Sequence, residues 1–560
     1  MIYITNEVIL NSYCLLFFLF YYNSVIFHRV LHRIIESYQN SEYLKSLVSD
    51  PNCNYRGHRG TSVHINLRKG YHSYYLMKFS YRFSNLCGTV YKCGNICFSA
   101  DGNVLYSPVG NRVSVFDLVN HSSYTLPFET HKNIARLCVS HNGRFMIAVD
   151  VDGKAMFVNI KKRIALYRFS FESPVNDINF SPDDKLIAVA MEKKIQLWYT
   201  PTEERHFAPL ERFVEFAQHF DTVTSVQWSH NGDYLVTSCA DMNIRIFSVG
   251  HIDGFLSVTL TGHHTPTLGA YFTSDDMSII SVSEDGGIFV WKWTEIDDEA
   301  WDSYVRYQKR HHRKRNAPSK DSNNDNEEEE NEEDDNEEEK VENRSIYYHG
   351  RWVIDHRYFN PDTTHQVLIS SCSFNAATNM LIVGLNSGVF YLYEMPDFSL
   401  IHSLSISRND ITSCCINATG DWLAFGCSTL GQLLVWEWQS ETYVLKQQGH
   451  YYNVSTLEFS PDGSVIASGG DDGKVKLWSV NSGFCFVTFN EHTAGITDIC
   501  YVKGGHAILS ASLDGTVRAF DLIRYRNFRT LTTPTPVQFT CVTCDTFILF
   551  FFLLYIDLVI

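Results

Sequence analysis

Residues 450–478 read HYYNVSTLEFSPDGSVIASGGDDGKVKLW. Two short runs of alternating apolar residues flank SPDGS, and a third, VKLW, follows DDG. Alternation with a period of two belongs to strands, and clusters of Ser, Pro, Asp and Gly belong to tight turns. The stretch therefore predicts three antiparallel strands in about thirty residues. That is too small a sheet to bury both of its faces alone, so the decisive question is whether it recurs.

It recurs through most of the chain. An apolar strand followed by a Ser/Asn/Asp/Gly turn appears as CFSADGN, CVSHNGR, NFSPDDK, QWSHNGD, YFTSDDM, SFNAATN, CINATGD, EFSPDGS and CYVKGGH. The aligned turn residue falls at Gly102, Gly143, Asp184, Gly232, Asp276, Thr378, Gly420, Gly463 and Gly505, with spacings of 41, 41, 48, 44, 102, 42, 43 and 42. A period of roughly 40–45 residues with this turn chemistry predicts a β-propeller of the WD-repeat type, one four-stranded blade per unit. Closing strands such as IQLWYT, IRIFSV, IFVWKW, LLVWEW and VKLWSV support it.

Four units share a deeper pattern: His, then Ser or Thr eighteen residues on, Asp at twenty-two, and an aromatic six further. The sets are His219/Thr237/Asp241/Phe247, His263/Ser281/Asp285/Trp291, His450/Ser468/Asp472/Trp478 and His492/Ser510/Asp514/Phe520. Ser, His and Asp together invite a hydrolase reading, but catalysis needs one triad with an oxyanion hole and a pocket. Four evenly spaced copies fit a support repeated in each blade. The expected network runs from Asp to His, from His to the hydroxyl, and from the hydroxyl to the indole N–H, with no indole donor where Phe247 or Phe520 replaces Trp. No catalytic residue, metal ligand or cofactor follows from it. The third unit has Glu192 where Asp would stand, six before Trp198, and the sixth ends in Tyr393.

Composition agrees with a folded, strand-rich chain. Of 560 residues 44% are apolar and 14% aromatic. The net charge of −17 is local, because residues 321–339 hold thirteen carboxylates and no base. Just before them, residues 306–315 read RYQKRHHRKR. A basic cluster beside an acidic block buries too little apolar surface to fold, so 294–349 reads as a disordered insert between the fifth and sixth blades. Lys309, Arg310, Arg313, Lys314 and Arg315 are a candidate nuclear import signal. Fifteen scattered cysteines, with Cys541–Cys544 the one close CxxC and no second pair, argue for reduced thiols in cytosol or nucleus and against zinc.

Residues 77–118, 399–407 (SLIHSLSIS), 420–450 (GDWLAFGCSTLGQLLVWEWQSETYVLKQQGH) and the stretch from GGDDGKVKLW to RYRNFRTLTTPTPVQFTCV resemble the periodic tryptophan protein 2 family across about 77–545. The resemblance implies a non-catalytic nucleolar scaffold without cofactor or small-molecule substrate. Such a protein belongs to the UTP-B part of the small-subunit processome, has other processome proteins as partners, and associates with U3 small nucleolar RNA and pre-ribosomal RNA on the route to 18S rRNA. The family fold is two successive propellers and a helical carboxy-terminal region. Arg524, Arg526 and Arg529 in RYRNFR are candidate RNA contacts, because arginines interleaved with aromatics suit phosphates and bases.

The expected organisation is all-β. Residues 77–293 form blades one to five, 294–349 the acidic insert, and 350–440 blades six and seven of one complete seven-bladed propeller. Residues 441–545 begin a second propeller that stops short of the family's about fourteen units. Residues 1–76 and the tail 546–560, TFILFFFLLYIDLVI from Thr546, have no family counterpart and are expected to be products of a faulty gene model. The competing reading takes Val8–Phe27, VILNSYCLLFFLFYYNSVIF, as a membrane anchor for a trafficking scaffold, since twenty mostly apolar residues have the length to span a bilayer.

Overall fold

The structure is a computed structural model that describes residue 83, residues 85–201, 209–250, 255, 257–295, 347, 350–364, 366–502, 504–534 and 537–544, and the backbone of 551–555. All of them belong to one compact unit, Tyr81–Ile560. The proposed anchor, residues 8–27, and the basic and acidic runs of the insert lie outside these residues. Among the described residues no helix is long and apolar enough to cross a membrane.

Among the described residues nine four-stranded antiparallel sheets follow one another, and a two-stranded sheet comes last. Within each sheet the strands pair in sequence order, as short hairpin connections dictate. The first sheet runs from Cys97–Phe98 to Ser122–Thr125, the seventh from Ser413–Ile416 to Thr442–Gln448, and the ninth from Ile496–Tyr501 to Arg526–Thr532. Their second and third strands are largely buried; MLIVGL (Met380–Leu385) is an unbroken apolar run, while NIRIFS (Asn243–Ser248) and VKLWS (Val475–Ser479) each enclose one cation. The outermost strands are largely exposed.

The first sheet closes against the seventh. The Tyr91 hydroxyl lies 2.9 Å from Thr412 Oγ1, the Ile96 amide donates to Ser413 Oγ at 3.1 Å, and the His450 amide donates to the Gly88 carbonyl at 2.7 Å. Leu105 and Phe116 of the first sheet share a core with Leu433 and Val435 of the seventh. A channel of about 550 Å³ is lined by residues 94–96, just before the first sheet, and by the innermost strands of the next six sheets, including Arg136, Asp177, Ser225, Tyr271, Cys372 and Cys414. The fold is thus one complete seven-bladed propeller plus the start of a second. The eighth sheet (Val454–Phe459 to Cys485–Phe489) packs on the ninth, and the ninth on the strand Phe539–Cys544.

The recurring turn explains the period. It needs one residue with positive φ, and Gly supplies it at Gly102, Gly143, Gly232, Gly420, Gly463 and Gly505. Asp184 and Asp276 take the same conformation, φ 57° and 55°. Each uses its side chain to reach the preceding sheet. Asp184 accepts from the amides of His141 and Asn142, both at 2.8 Å, and Asp276 from those of His230 and Asn231 at 3.0 and 3.3 Å. In the sixth sheet the residue with positive φ is Asn379, not Thr378, because that strand continues to Asn375 before it turns. Asn tolerates this conformation where a β-branched Thr does not.

Two boundaries move. The insert does not separate the fifth sheet from the sixth. Gly350–Phe359 pairs along Gly287–Glu295 and is the fourth strand of the fifth sheet, so the insert interrupts a hairpin. The seventh sheet extends to Gln448 rather than to 440, because its outer strand follows the WEW run. In the tail, Phe551–Tyr555 pairs antiparallel with Phe539–Cys544.

Candidate functional site

In each of the four sets the His stands in the loop entering a sheet, the hydroxyl on that sheet's second strand, the Asp in the turn that follows and the aromatic on the third strand. Each set has a different geometry. In the eighth sheet His450 Nδ1 lies 3.0 Å from Asp472 Oδ1 and its Nε2 lies 2.8 Å from Ser468 Oγ, which also receives the Trp478 indole N–H at 2.9 Å. Burial alone would raise the Asp472 carboxyl, but the bond from His450 and the Lys474 amide hold it below its ordinary value. In the ninth sheet His492 bonds Asp514 at 2.9 Å and Ser510 at 2.6 Å. Phe520 has no donor and instead stacks on Phe489, ring centres 4.2 Å apart. Despite burial, Thr516 and His492 lower the Asp514 carboxyl to about 2.

The other two sets are not closed as the spacing predicts. In the fourth sheet the buried Arg245 stands between His219 and Asp241. Its Nη1 lies 3.1 Å from His219 Nδ1, and its Nη2 donates to Asp241 Oδ2 at 2.7 Å. Burial first, then this guanidinium, lower the His219 pKa to about 4. The neutral ring accepts from Arg245 and faces Thr237 at 3.4 Å with its other nitrogen. In the fifth sheet His263 bonds Ser281 at 2.8 Å, and Trp291 donates to Ser281 at 2.9 Å, but Asp285 makes no hydrogen bond to His263. Asp285 turns to Ser283 and the Gly287 amide. Phe289 stacks flat on the imidazole at 4.1 Å, and His263 Nδ1 is buried without a partner. Burial lowers its pKa to about 4.

A fifth position, four residues after the Asp, differs among the sets. It is Arg245, Phe289, Lys476 and Arg518 in the four sets. Lys476 is buried, and its ammonium donates to Thr488 Oγ1 at 3.1 Å. Sequence reading passed over this position, and a cation there does not by itself separate an open set from a closed one, since Lys476 and Arg518 stand in the two closed sets.

None of the four hydroxyls is placed for nucleophilic attack. Ser281 and Ser468 are buried and already receive an indole N–H. Among the described residues no three His, Cys, Asp or Glu side chains are grouped so as to hold a metal ion. In the channel Arg136 donates to the Asn176 carbonyl, and burial raises the neighbouring Asp177 carboxyl in spite of Arg136. The channel wall is otherwise mainly small hydroxyl and amide groups.

The candidate RNA contacts lie on the ninth sheet's last hairpin. Arg524 is in the turn, and Arg526 and Arg529 are exposed on the outermost strand. Exposed Tyr525 and Phe528 interleave with them. Arg526 pairs across the strands with Asp521 and Arg529 with Ala519, on one face of the sheet. Amides of Ile523 and Arg524, with the nearby guanidinium groups, keep Asp521 ionised below the usual range, so part of the positive charge is answered locally.

The sequence matches the family model described as WD domain, G-beta repeat, at residues 165–199, 211–248, 254–292, 441–479 and 483–521. It is 40% identical over 486 residues to Periodic tryptophan protein 2 of Arabidopsis thaliana, covering 83% of this chain and 53% of that protein. To Periodic tryptophan protein 2 of Saccharomyces cerevisiae it is 43% identical over 472 residues, covering 84% and 48%. Over 138 residues it is 30% identical to Pre-rRNA-processing protein IPI3 of Meyerozyma guilliermondii, covering 22% and 30%. The chain spans about half the length of the curated relatives that it matches along most of its own. It is a WD-repeat β-propeller protein, homologous over most of its length to the proteins named Periodic tryptophan protein 2.

Proposed function

We propose that the chain is a non-catalytic WD-repeat scaffold of ribosome biogenesis, acting in the nucleolus. The observation that carries this is the similarity along 84% of the chain to Periodic tryptophan protein 2, joined by the shorter match to a protein named for pre-rRNA processing. In finer detail, the chain works within a U3 small nucleolar ribonucleoprotein, the small-subunit processome, beside UTP-B proteins and on the path to 18S rRNA. The His/hydroxyl/Asp sets act as blade supports, and Arg524, Arg526 and Arg529 as one RNA contact.

The mechanism is geometric. A closed ring of packed sheets holds its connecting loops in fixed positions, and the sheets that follow add further surfaces. Loops on a rigid frame are where recognition resides, and recognition here needs no bond to be made or broken. Depleting the protein in its native cells tests the proposal. The ratio of 18S to large-subunit rRNA should fall while uncleaved precursor accumulates; an unchanged ratio at full depletion overturns it.

A further inference from the structure

The second sheet differs from the rest of this acidic chain. Between His131 and Pro174 the sequence holds eight Lys and Arg against three Asp and Glu, a net of +5, while residues 175–216 of the third carry −3. Of the three carboxylates, Asp150 is fully buried and accepts from the amides of Asp152 and Lys154, Asp152 pairs with Lys132 at 2.9 Å, and Glu172, exposed just past the outer strand, lies 4.0 Å from Arg212. The surplus gathers on the outer hairpin, Lys154–Asn159 and Ile164–Ser170, joined through Lys161, Lys162 and Arg163. Among the described residues Lys154, Lys161 and Arg168 make no ion pair. Arg163 lies over the Tyr124 ring at 4.0 Å.

The hairpin also has a concave wall. A groove of about 320 Å³ is lined by Thr130, His131, Lys154, Met156, Arg168 and Phe169, and no carboxylate lines it. Lys154 pairs with Ser170 and Met156 with Arg168. The two cations are therefore diagonal neighbours on one face, roughly 7–8 Å apart at the backbone. The seven-residue outer strand spans about 23 Å; Arg163 stands just before it and Arg168 lies two residues short of its end. Lysine on an edge strand commonly serves only to prevent sheet-to-sheet pairing. The other outermost strands divide: Val258–Thr261 and Ser399–Ser405 carry no Lys or Arg, whereas Arg212–Phe216, Gly350–Phe359, Thr442–Gln448 and Arg526–Thr532 carry one or two. What sets this hairpin apart is that Lys154 on the neighbouring strand and Lys161, Lys162 and Arg163 in the turn extend the charge beyond the edge itself.

We infer that the outer hairpin of the second sheet binds the phosphate backbone of single-stranded RNA, with Lys154 and Arg168 on adjacent phosphates and Lys161–Arg163 further along the strand. The choice of RNA among polyanions rests on the proposed role in ribosome biogenesis. An extended row of cations whose groove holds no carboxylate suits a long charged strand better than a compact anion.

The test is fluorescence anisotropy of the full chain with a labelled mixed-sequence RNA of about 20 nucleotides, titrated at several salt concentrations. Lys154→Ala with Arg168→Ala should weaken binding tenfold or more and flatten the salt slope by about 1.4, two contacts at roughly 0.7 each. Both side chains are exposed, so the melting temperature should stay put. Replacing Arg524, Arg526 and Arg529 with Ala should cost less. Unchanged affinity in the double variant overturns the inference. So does a polyglutamate peptide of equal length that binds as tightly as RNA and is lost in the same variant, because the surface is then one for acidic protein. Co-purification of pre-ribosomal RNA with the variant separates the two claims. If it persists with unaltered RNA affinity, only this site falls; if the unaltered chain never co-purifies that RNA, the role itself falls.

Discussion

At the scale of single residues, the repeated sets show how far spacing alone can be read. Spacing located His450, Ser468, Asp472 and Trp478, which do form one connected network. It did not disclose Arg245 or Phe289, because a side chain four positions along a strand projects into the set only once the sheet is folded. Asp472→Ala should lower stability by about 2–3 kcal/mol in chemical denaturation, since it leaves buried His450 and the turn amides unsatisfied. Arg245→Met should cost about 3 kcal/mol or more, because Asp241 and His219 then lose the cation between them. The third sheet offers the reverse case. Its Trp198 indole N–H is buried without an acceptor. Its hairpin is one residue shorter, so Val189 occupies the place of Ser281 or Ser468. Val189→Thr should gain up to about 1 kcal/mol, whereas the same change at Val236 should lose stability. Protonation supplies a further check. His219 and His263 have folded pKa values of about 4 against 6.5 ordinarily, so below 6.5 the unfolded chain binds protons that the fold excludes. Stability should therefore fall from pH 6.5 to 4, by about 1.4 kcal/mol per unit for each ring. Glu458, raised by burial to about 7, opposes this in part of the same window. Denaturation of the unaltered chain and of His263→Gln at pH 7, 5.5 and 4.5 isolates one ring; parallel curves would contradict the assignment.

At the scale of elements, strand alternation and turn chemistry made nearly every sheet legible, because both are local. What was not legible depends on pairing across distance. Gly350–Phe359 reads as an isolated run after the insert, and only its register with Gly287–Glu295 assigns it to the fifth sheet. Closure of the ring has a similar cause, since Val90 and Tyr91 precede the first described strand, Cys97–Phe98, yet fill the joint with the seventh sheet. Closure also decides what the eighth sheet faces. Its innermost strand leaves Leu457 63% and Phe459 55% exposed, while their counterparts Ala270 and Phe272 in the fifth are 1% and 3% exposed. The seventh sheet is already committed to the first, so it does not cover that strand as the fourth covers the fifth. Phe459→Asp should thus leave the melting temperature nearly unchanged and reduce aggregation, whereas Phe272→Asp should prevent folding. Light scattering during a thermal scan reads both.

At the scale of the whole molecule, the chain is a closed seven-sheet ring followed by further sheets, acidic in total yet basic along one outer hairpin. The fold was legible because one period repeats nine times. The basic hairpin was not, because its charge is diluted in a chain average dominated by residues 321–339. The central claim is the proposed role in assembly. The most direct measurement is quantitative recovery of U3 small nucleolar RNA with the tagged chain purified from its native cells. The account predicts strong enrichment over an unrelated seven-bladed propeller protein purified in parallel; recovery equal to that control would contradict it.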